Sequence, residues 1–170
     1  MHVLFDHSAI ETRVAELARQ IAADCGPTPP LFVGILNGAV PFMMDLMAAL
    51  PPKMRRELQY DFVDLSSYEG DTSSGHIAMT KDLVLDIRNR DLLVVDGIVD
   101  TGGTLEHLLA LFEQRAPRSV KICTLLDKAA RRQYEIRIDY CGFAIEDLFV
   151  VGYGMDYNQQ YRALPYIGVL

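Results

Sequence analysis

The sequence predicts an α/β protein with a central parallel sheet flanked by helices. Three observations predict it. Leu31–Leu36, Leu92–Asp96 and Val120–Leu126 are short apolar runs of the kind that form strands buried on both faces. Helical periodicity fills the stretches around them. The order strand, loop, helix, strand is that of βαβ units and a parallel sheet.

Taken in order, Ser8-Ala9-Ile10-Glu11 has a capping-box pattern, with Ser8 as N-cap. Ile10, Val14, Leu17 and Ile21 follow at helical spacing, which predicts a helix over 9–24 that ends at Gly26-Pro27. After the strand Leu31–Leu36 and the turn Asn37-Gly38, a helix is expected over Val40–Leu50, stopped by Pro51-Pro52. Its Met43, Met44 and Met47 suit either core or a subunit interface. Tyr60–Leu65 reads as a strand. Ser66–His76, rich in Ser, Gly, Asp and Thr, reads as a mobile loop, and Ile77–Leu85 as a strand and turn. Leu92–Asp96 leads into Gly97–Gly103 and a helix near Thr104–Arg115. After Arg132 the pattern loosens and turns aromatic, with Phe143, Phe149, Tyr153, Tyr157 and Tyr161. A single domain over 1–170 is expected, with a small lobe made of about 133–170 and N-terminal residues.

Composition excludes several classes. Half the residues are hydrophobic and 23% are charged, so the chain is globular. A net charge of -7 argues against nucleic-acid backbone binding as the main task, because that needs a basic face. The N-terminus lacks the pattern of a signal peptide, and no 18-residue apolar run spans a membrane. Cys25, Cys123 and Cys141 form no metal-binding pattern and suit small buried hydrophobes in a reducing cytoplasm.

The strongest local signal is Val94-Val95-Asp96-Gly97-Ile98-Val99-Asp100-Thr101-Gly102-Gly103-Thr104. Thr101, Gly102, Gly103 and Thr104 offer amides and hydroxyls at a helix N-terminus, where orphan N–H groups and the helix dipole favour an anion. The GK[ST] and GxGxxG patterns are both absent. Asp100 is repelled by any phosphate its neighbours bind, so it faces another part of a substrate or a metal. A phosphate cradle beside Asp96 and Asp100 suits a phosphorylated sugar with hydroxyls and Mg²⁺.

At this point the chain resembles the type I phosphoribosyltransferases. The apolar run, the acids and Asp100-Thr101-Gly102-Gly103-Thr104 look like that family's motif for phosphoribosyl pyrophosphate (PRPP). Leu65-Ser66-Ser67-Tyr68, Asp86-Ile87-Arg88, Cys123–Lys128, Phe149–Tyr157 and Tyr161–Gly168 resemble its hypoxanthine-guanine branch. The likeness runs in order from about Leu31 to Leu170.

The resemblance implies the type I phosphoribosyltransferase fold with a small hood lobe, PRPP and a 6-oxopurine as substrates, Mg²⁺ as cofactor, and a homodimer or homotetramer. It places Thr101, Gly102, Gly103 and Thr104 on the 5′-phosphate and makes Asp100 the general base near N7 of the purine. Asp96 would hold the ribose hydroxyls and share the metal with Asp156. Asn37, Gly38 and Arg162 would meet pyrophosphate, with a cis Leu36–Asn37 peptide. Lys128 would donate to O6, Phe149 would stack on the purine, and the Val150 backbone would read the base edge. Ser67 and Tyr68 would open a loop that closes over the reaction centre. Taken singly, Lys128 also fits a solvated strand end, Phe149 the core, Asp156 a helix cap and Arg162 the surface.

Two positions depart from the family. Asn37 replaces its usual lysine. Asp96-Gly97 replaces a Glu-Asp pair, which implies weaker PRPP binding, unless Gly97 is kept for a left-handed φ. A xanthine-preferring enzyme and a non-catalytic nucleotide-sensing regulator are the competing readings.

Overall fold

A computed structural model describes residues 1–68 and 76–170. A six-stranded sheet carries the fold. Its strands are β2 (Leu31–Ile35), β3 (Tyr60–Tyr68), β4 (His76–Lys81), β5 (Asp91–Val99), β6 (Ser119–Asp127) and β7 (Tyr140–Ala144), in the order β4-β3-β2-β5-β6-β7. All neighbours are parallel except β3 and β4. A second, antiparallel sheet joins β1 (His2–Phe5), β9 (Ile167–Val169) and β8 (Val150–Val151), with β9 in the middle.

The apolar strands alternate between two cores. Leu93 and Val95 of β5 pack with α1 (His7–Asp24) and α2 (Val40–Ala48), whereas Leu92 and Val94 face Leu105, Leu108 and Phe112 of α4 (Gly103–Glu113). Both faces of β5 are therefore covered, which is why its sequence reads as a continuous apolar run.

Several boundaries differ from expectation. Helix α1 is capped by Asp6, whose carboxylate accepts from the Ala9 amide at 2.8 Å, rather than by Ser8. A carboxylate two residues earlier satisfies an orphan amide with a full charge. Pro52 opens a short helix α3 (Pro52–Glu57), since proline is tolerated at a first helical position. Strand β3 runs on to Tyr68 and β4 begins at His76, paired with each other, so the expected loop is shorter at both ends. Strand β5 continues through Asp96 to Val99. The lobe boundary expected near residue 133 is not a sheet boundary, because β7 is an edge strand of the large sheet. Its pairing with β6, from Cys123↔Tyr140 to Asp127↔Ala144, decides that placement.

Candidate active site

The chain turns to opposite sides of the sheet after β2 and after β5, which are neighbours. Ligands in open α/β sheets bind at such a switch point, outside the carboxyl ends of the strands. The two loops that leave it are 36–39 and 100–102, and both carry candidate residues.

Asp100 follows the last residue of β5, and Thr101-Gly102 leads straight into α4. Gly102 is the N-cap residue at φ 89° and has no side chain to cap the helix, so beyond Gly103 its start presents bare amides. The Gly103 amide donates to Thr101 Oγ1 at 3.3 Å. Asp96, Asp100, Thr101, Gly102, Gly103 and Thr104 line a hollow of about 100 Å³.

Asp96 reaches some solvent, yet the hollow it faces is narrow. Burial pushes its carboxyl up to about 7, only partly offset by the Gly97 and Ile98 amides that hydrogen-bond to it. It is a carboxyl short of positive partners, which suits a site for hydroxyl donors or a cation. Among the described residues no group of three His, Cys, Asp or Glu side chains gathers to cage a metal. Mg²⁺ takes one or two carboxylates together with water and substrate phosphates, so Asp96 and Asp156 fit it.

The Leu36–Asn37 peptide is cis. Behind it three glycine backbones converge. A Cβ on Gly97 would meet the Gly38 carbonyl oxygen at 2.9 Å, and one on Gly154 would meet that same oxygen at 2.2 Å. Gly97 lies outside the left-handed region, so close packing and not φ accounts for its missing side chain. Between Gly152 and Tyr161, Gly152, Tyr153, Gly154, Asn158, Gln159 and Tyr161 all have positive φ. This coiled loop carries Asp156 and Arg162, which pair at 2.8 Å, and Arg162 Nη1 also donates to the Gly154 carbonyl at 2.7 Å. Asn37, Gly38, Asp156 and Arg162 thus belong to two loops locked together through Gly38 and Gly154.

Lys128 follows the last residue of β6, and its amide donates to the Val99 carbonyl at 3.0 Å. Its side chain is 8% exposed, so it is no solvated strand end; its Nζ lies 3.9 Å from Asp100 and 3.7 Å from Asp147. Phe149 is 54% exposed and meets Tyr157 edge-on at 5.6 Å, so it is not core. Val150 next to it is buried. The backbones of Ser67 and Tyr68 end β3; their side chains, and residues 69–75, lie outside the described residues.

The supports of the site leave little trace in the sequence. Arg131 Nε donates to Asp100 Oδ1 at 3.0 Å. Arg132 pairs with Asp127 and donates to the Asp100 carbonyl at 3.1 Å. The Thr101 carbonyl accepts from the amides of Gln133 at 2.9 Å and Tyr134 at 3.3 Å. The adjacent arginines just past Lys128 were the one available sign of this buttress.

An anion cradle beside sugar-compatible carboxylates, at the switch point of a parallel sheet, defines a class of α/β proteins that bind phosphorylated sugars or nucleotides. Comparison with known proteins narrows the class. Residues 3–158 match the phosphoribosyl transferase domain. A hypoxanthine-guanine phosphoribosyltransferase of Bacillus subtilis is 44% identical over 169 residues, covering 99% of this chain and 92% of the relative. A hypoxanthine-guanine-xanthine phosphoribosyltransferase of Tritrichomonas foetus is 40% identical, with 99% and 90% covered. The crystal structure of a hypoxanthine phosphoribosyltransferase from Staphylococcus aureus superposes with a TM-score of 0.92 at 42% identity, over all of this chain and 91% of that one. The chain belongs to the phosphoribosyltransferase family, in its hypoxanthine-guanine branch.

Proposed function

We propose that this protein transfers the phosphoribosyl group of PRPP to hypoxanthine and/or guanine, with Mg²⁺, giving the nucleotide and pyrophosphate. The observation that carries the reading is the buried Lys128 ammonium, 3.9 Å from Asp100 beside the anion cradle. One cation and one carboxylate match the acceptor and the acidic N–H of a 6-oxopurine.

In this reading the α4 amides and the Thr101 and Thr104 hydroxyls hold the 5′-phosphate. Asp96 accepts from the ribose 2′- and 3′-hydroxyls. Asn37, Gly38 and Arg162 hold pyrophosphate, which Arg162 fits because its planar fork matches phosphate oxygens. Lys128 donates to O6, Phe149 stacks on the base, and the Val150 backbone reads its edge. The base N9 lone pair forms a bond to C1′ while the C1′–O bond breaks, and that electron pair leaves with pyrophosphate. The N7 proton passes to Asp100. Asp156 and Asp96 would hold Mg²⁺, which would supply charge neutralisation for the leaving pyrophosphate. Ser67 and Tyr68 help to shield C1′ from water. A homodimer or homotetramer is part of the proposal, and Met44, 46% exposed on α2, suits a subunit contact. Three free cysteines suit the cytoplasm.

A base panel with PRPP and Mg²⁺ tests the reading. Hypoxanthine should yield inosine monophosphate. Adenine should be poorer by on the order of 10⁴-fold, because its amino group faces a buried donor. Xanthine belongs in the panel because the Tritrichomonas relative's name includes it. Turnover of none of the 6-oxopurines at any PRPP concentration would leave a nucleotide-binding regulator as the better account.

A further inference from the structure

We propose that Asp147 is a specificity-determining positioning residue: it aims the Lys128 ammonium at the 6-oxygen of the base and ties the base-stacking segment to Asp100. This rests on the reading of Lys128 as the O6 donor.

Four charged side chains close a ring of alternating sign. Lys128 Nζ lies 3.9 Å from Asp100 Oδ2 and 3.7 Å from Asp147 Oδ1. Arg131 bridges the same two acids, with Nε 3.0 Å from Asp100 Oδ1 and Nη1 3.5 Å from Asp147 Oδ2. The members come from three places: the end of β5, the turn after β6, and the segment between β7 and β8.

Asp147 stands two residues before Phe149. Its segment is anchored by the Ile145 amide on the Asp127 carbonyl at 2.9 Å, one residue from Lys128. Asp147 is therefore the side-chain link between the stacking aromatic and the cation.

An ammonium shared by two carboxylates is held between them. Remove Asp147, and Asp100 is the remaining carboxylate among its partners. Lys128 then closes on Asp100 Oδ2. That is the oxygen free of Arg131, and so the one available to the base proton. One shift would thus withdraw the O6 donor and occupy the proton acceptor. Asp147 is 56% exposed, so water moderates the effect. Thr101, on the phosphate side of Asp100, would be little disturbed, since its carbonyl accepts from the Gln133 and Tyr134 amides and the Asp100 carbonyl accepts from Arg132.

The test compares Asp147→Asn, Asp147→Glu and Lys128→Gln with the wild type. It measures kcat, separate KM values for hypoxanthine and PRPP, the hypoxanthine-to-adenine ratio of kcat/KM, and Tm. Asp147→Asn should raise KM for hypoxanthine about tenfold, as expected for one weakened charged hydrogen bond. It should reduce the hypoxanthine-to-adenine ratio and hold KM for PRPP within about twofold, and Asp147→Glu should recover most of the loss. If Lys128→Gln lowers the ratio but Asp147→Asn leaves it and KM for hypoxanthine unchanged, Asp147 is only a solvated partner and the inference fails alone. Equal rises in both KM values with a lower Tm would mean a purely structural role, and would overturn it too. If Lys128→Gln leaves adenine discrimination intact, Lys128 does not read O6, and the base reading falls together with this inference.

Discussion

The proposed phosphate cradle runs through Asp100–Thr104, five consecutive residues at one strand-to-helix junction. The proposed base site draws Asp100 from just past β5, Lys128 from just past β6, Phe149 from the residue before β8 and Val150 from β8 itself. The cradle owes its form to local backbone chemistry: a left-handed Gly102 followed by uncapped amides. The base site owes its form to register, since the β5–β6 ladder carries Val99 opposite Asp127 and so sets Lys128 beside Asp100. The difference is one of degree. Even the contiguous cradle leans on residues more than thirty positions away, through the amides of Gln133 and Tyr134 on Thr101 and through Arg132 on Asp100.

The largest effect should come from the residue the two sites share. Asp100→Asn should lower kcat by roughly 10²–10⁴ if Asp100 takes the base proton, while PRPP binding is largely spared. Single-turnover rates beside a PRPP titration separate the two. An unchanged kcat would make Asp100 part of the cradle only.

Gly154→Ala should be next. Its φ of 97° and the 2.2 Å approach to the Gly38 oxygen leave no room for a methyl group. Such strain costs about 1–3 kcal/mol, so Tm should fall by several degrees, at about 2–4 °C per kcal/mol for a chain of this size. KM for PRPP should rise more than KM for hypoxanthine, because the displaced loops are those of Asn37 and Arg162. A rise in KM for hypoxanthine alone would contradict the assignment of those loops to pyrophosphate.

Gly97→Asp sharpens the comparison at the cradle's edge. The sequence alone favours a gain, since an acid is restored. The Gly38 backbone 2.9 Å from the new Cβ favours a loss, because a carbonyl cannot swing aside as a side-chain tip can. Expected outcomes are a lower Tm and a higher KM for PRPP, with Gly97→Ala showing the same steric share. A variant with lower KM and unchanged Tm would show that the loop yields and that the missing acid limits binding.

The last effect, read in stability alone, concerns Asp96 in the ligand-free protein. Burial raises its carboxyl to about 7, above the value of about 3.9 in an unfolded chain. Its contribution to stability is therefore full below about pH 4 and is lost as pH rises through 7. Asp96→Asn should remove that dependence, so wild-type Tm should fall further than the variant's between pH 5 and 8, measured without Mg²⁺ or PRPP. Parallel melting curves would mean another group titrates there.

Much of this was legible in the chain. Apolar runs located β2, β5 and β6, because a strand covered on both faces needs no polar alternation. The glycines and threonines after Asp100 located the cradle, because bare helix amides depend on neighbours in sequence. Lys128 and Phe149 were found through resemblance; alone, each also suited a bland structural role.

What the sequence determined by itself was local: element order, the anion site at the start of α4, and the residue types able to handle a phosphosugar and a base. Partnership was left to the tertiary structure. It put β7 at the edge of the large sheet and paired β1 with β9. It packed Gly97 and Gly154 against one carbonyl and drew Arg131 and Asp147 around Asp100 and Lys128. The physical reason is that periodicity and turn chemistry act over a few residues. An ion pair or a backbone crossing depends instead on the register between strands, which only the folded sheet sets.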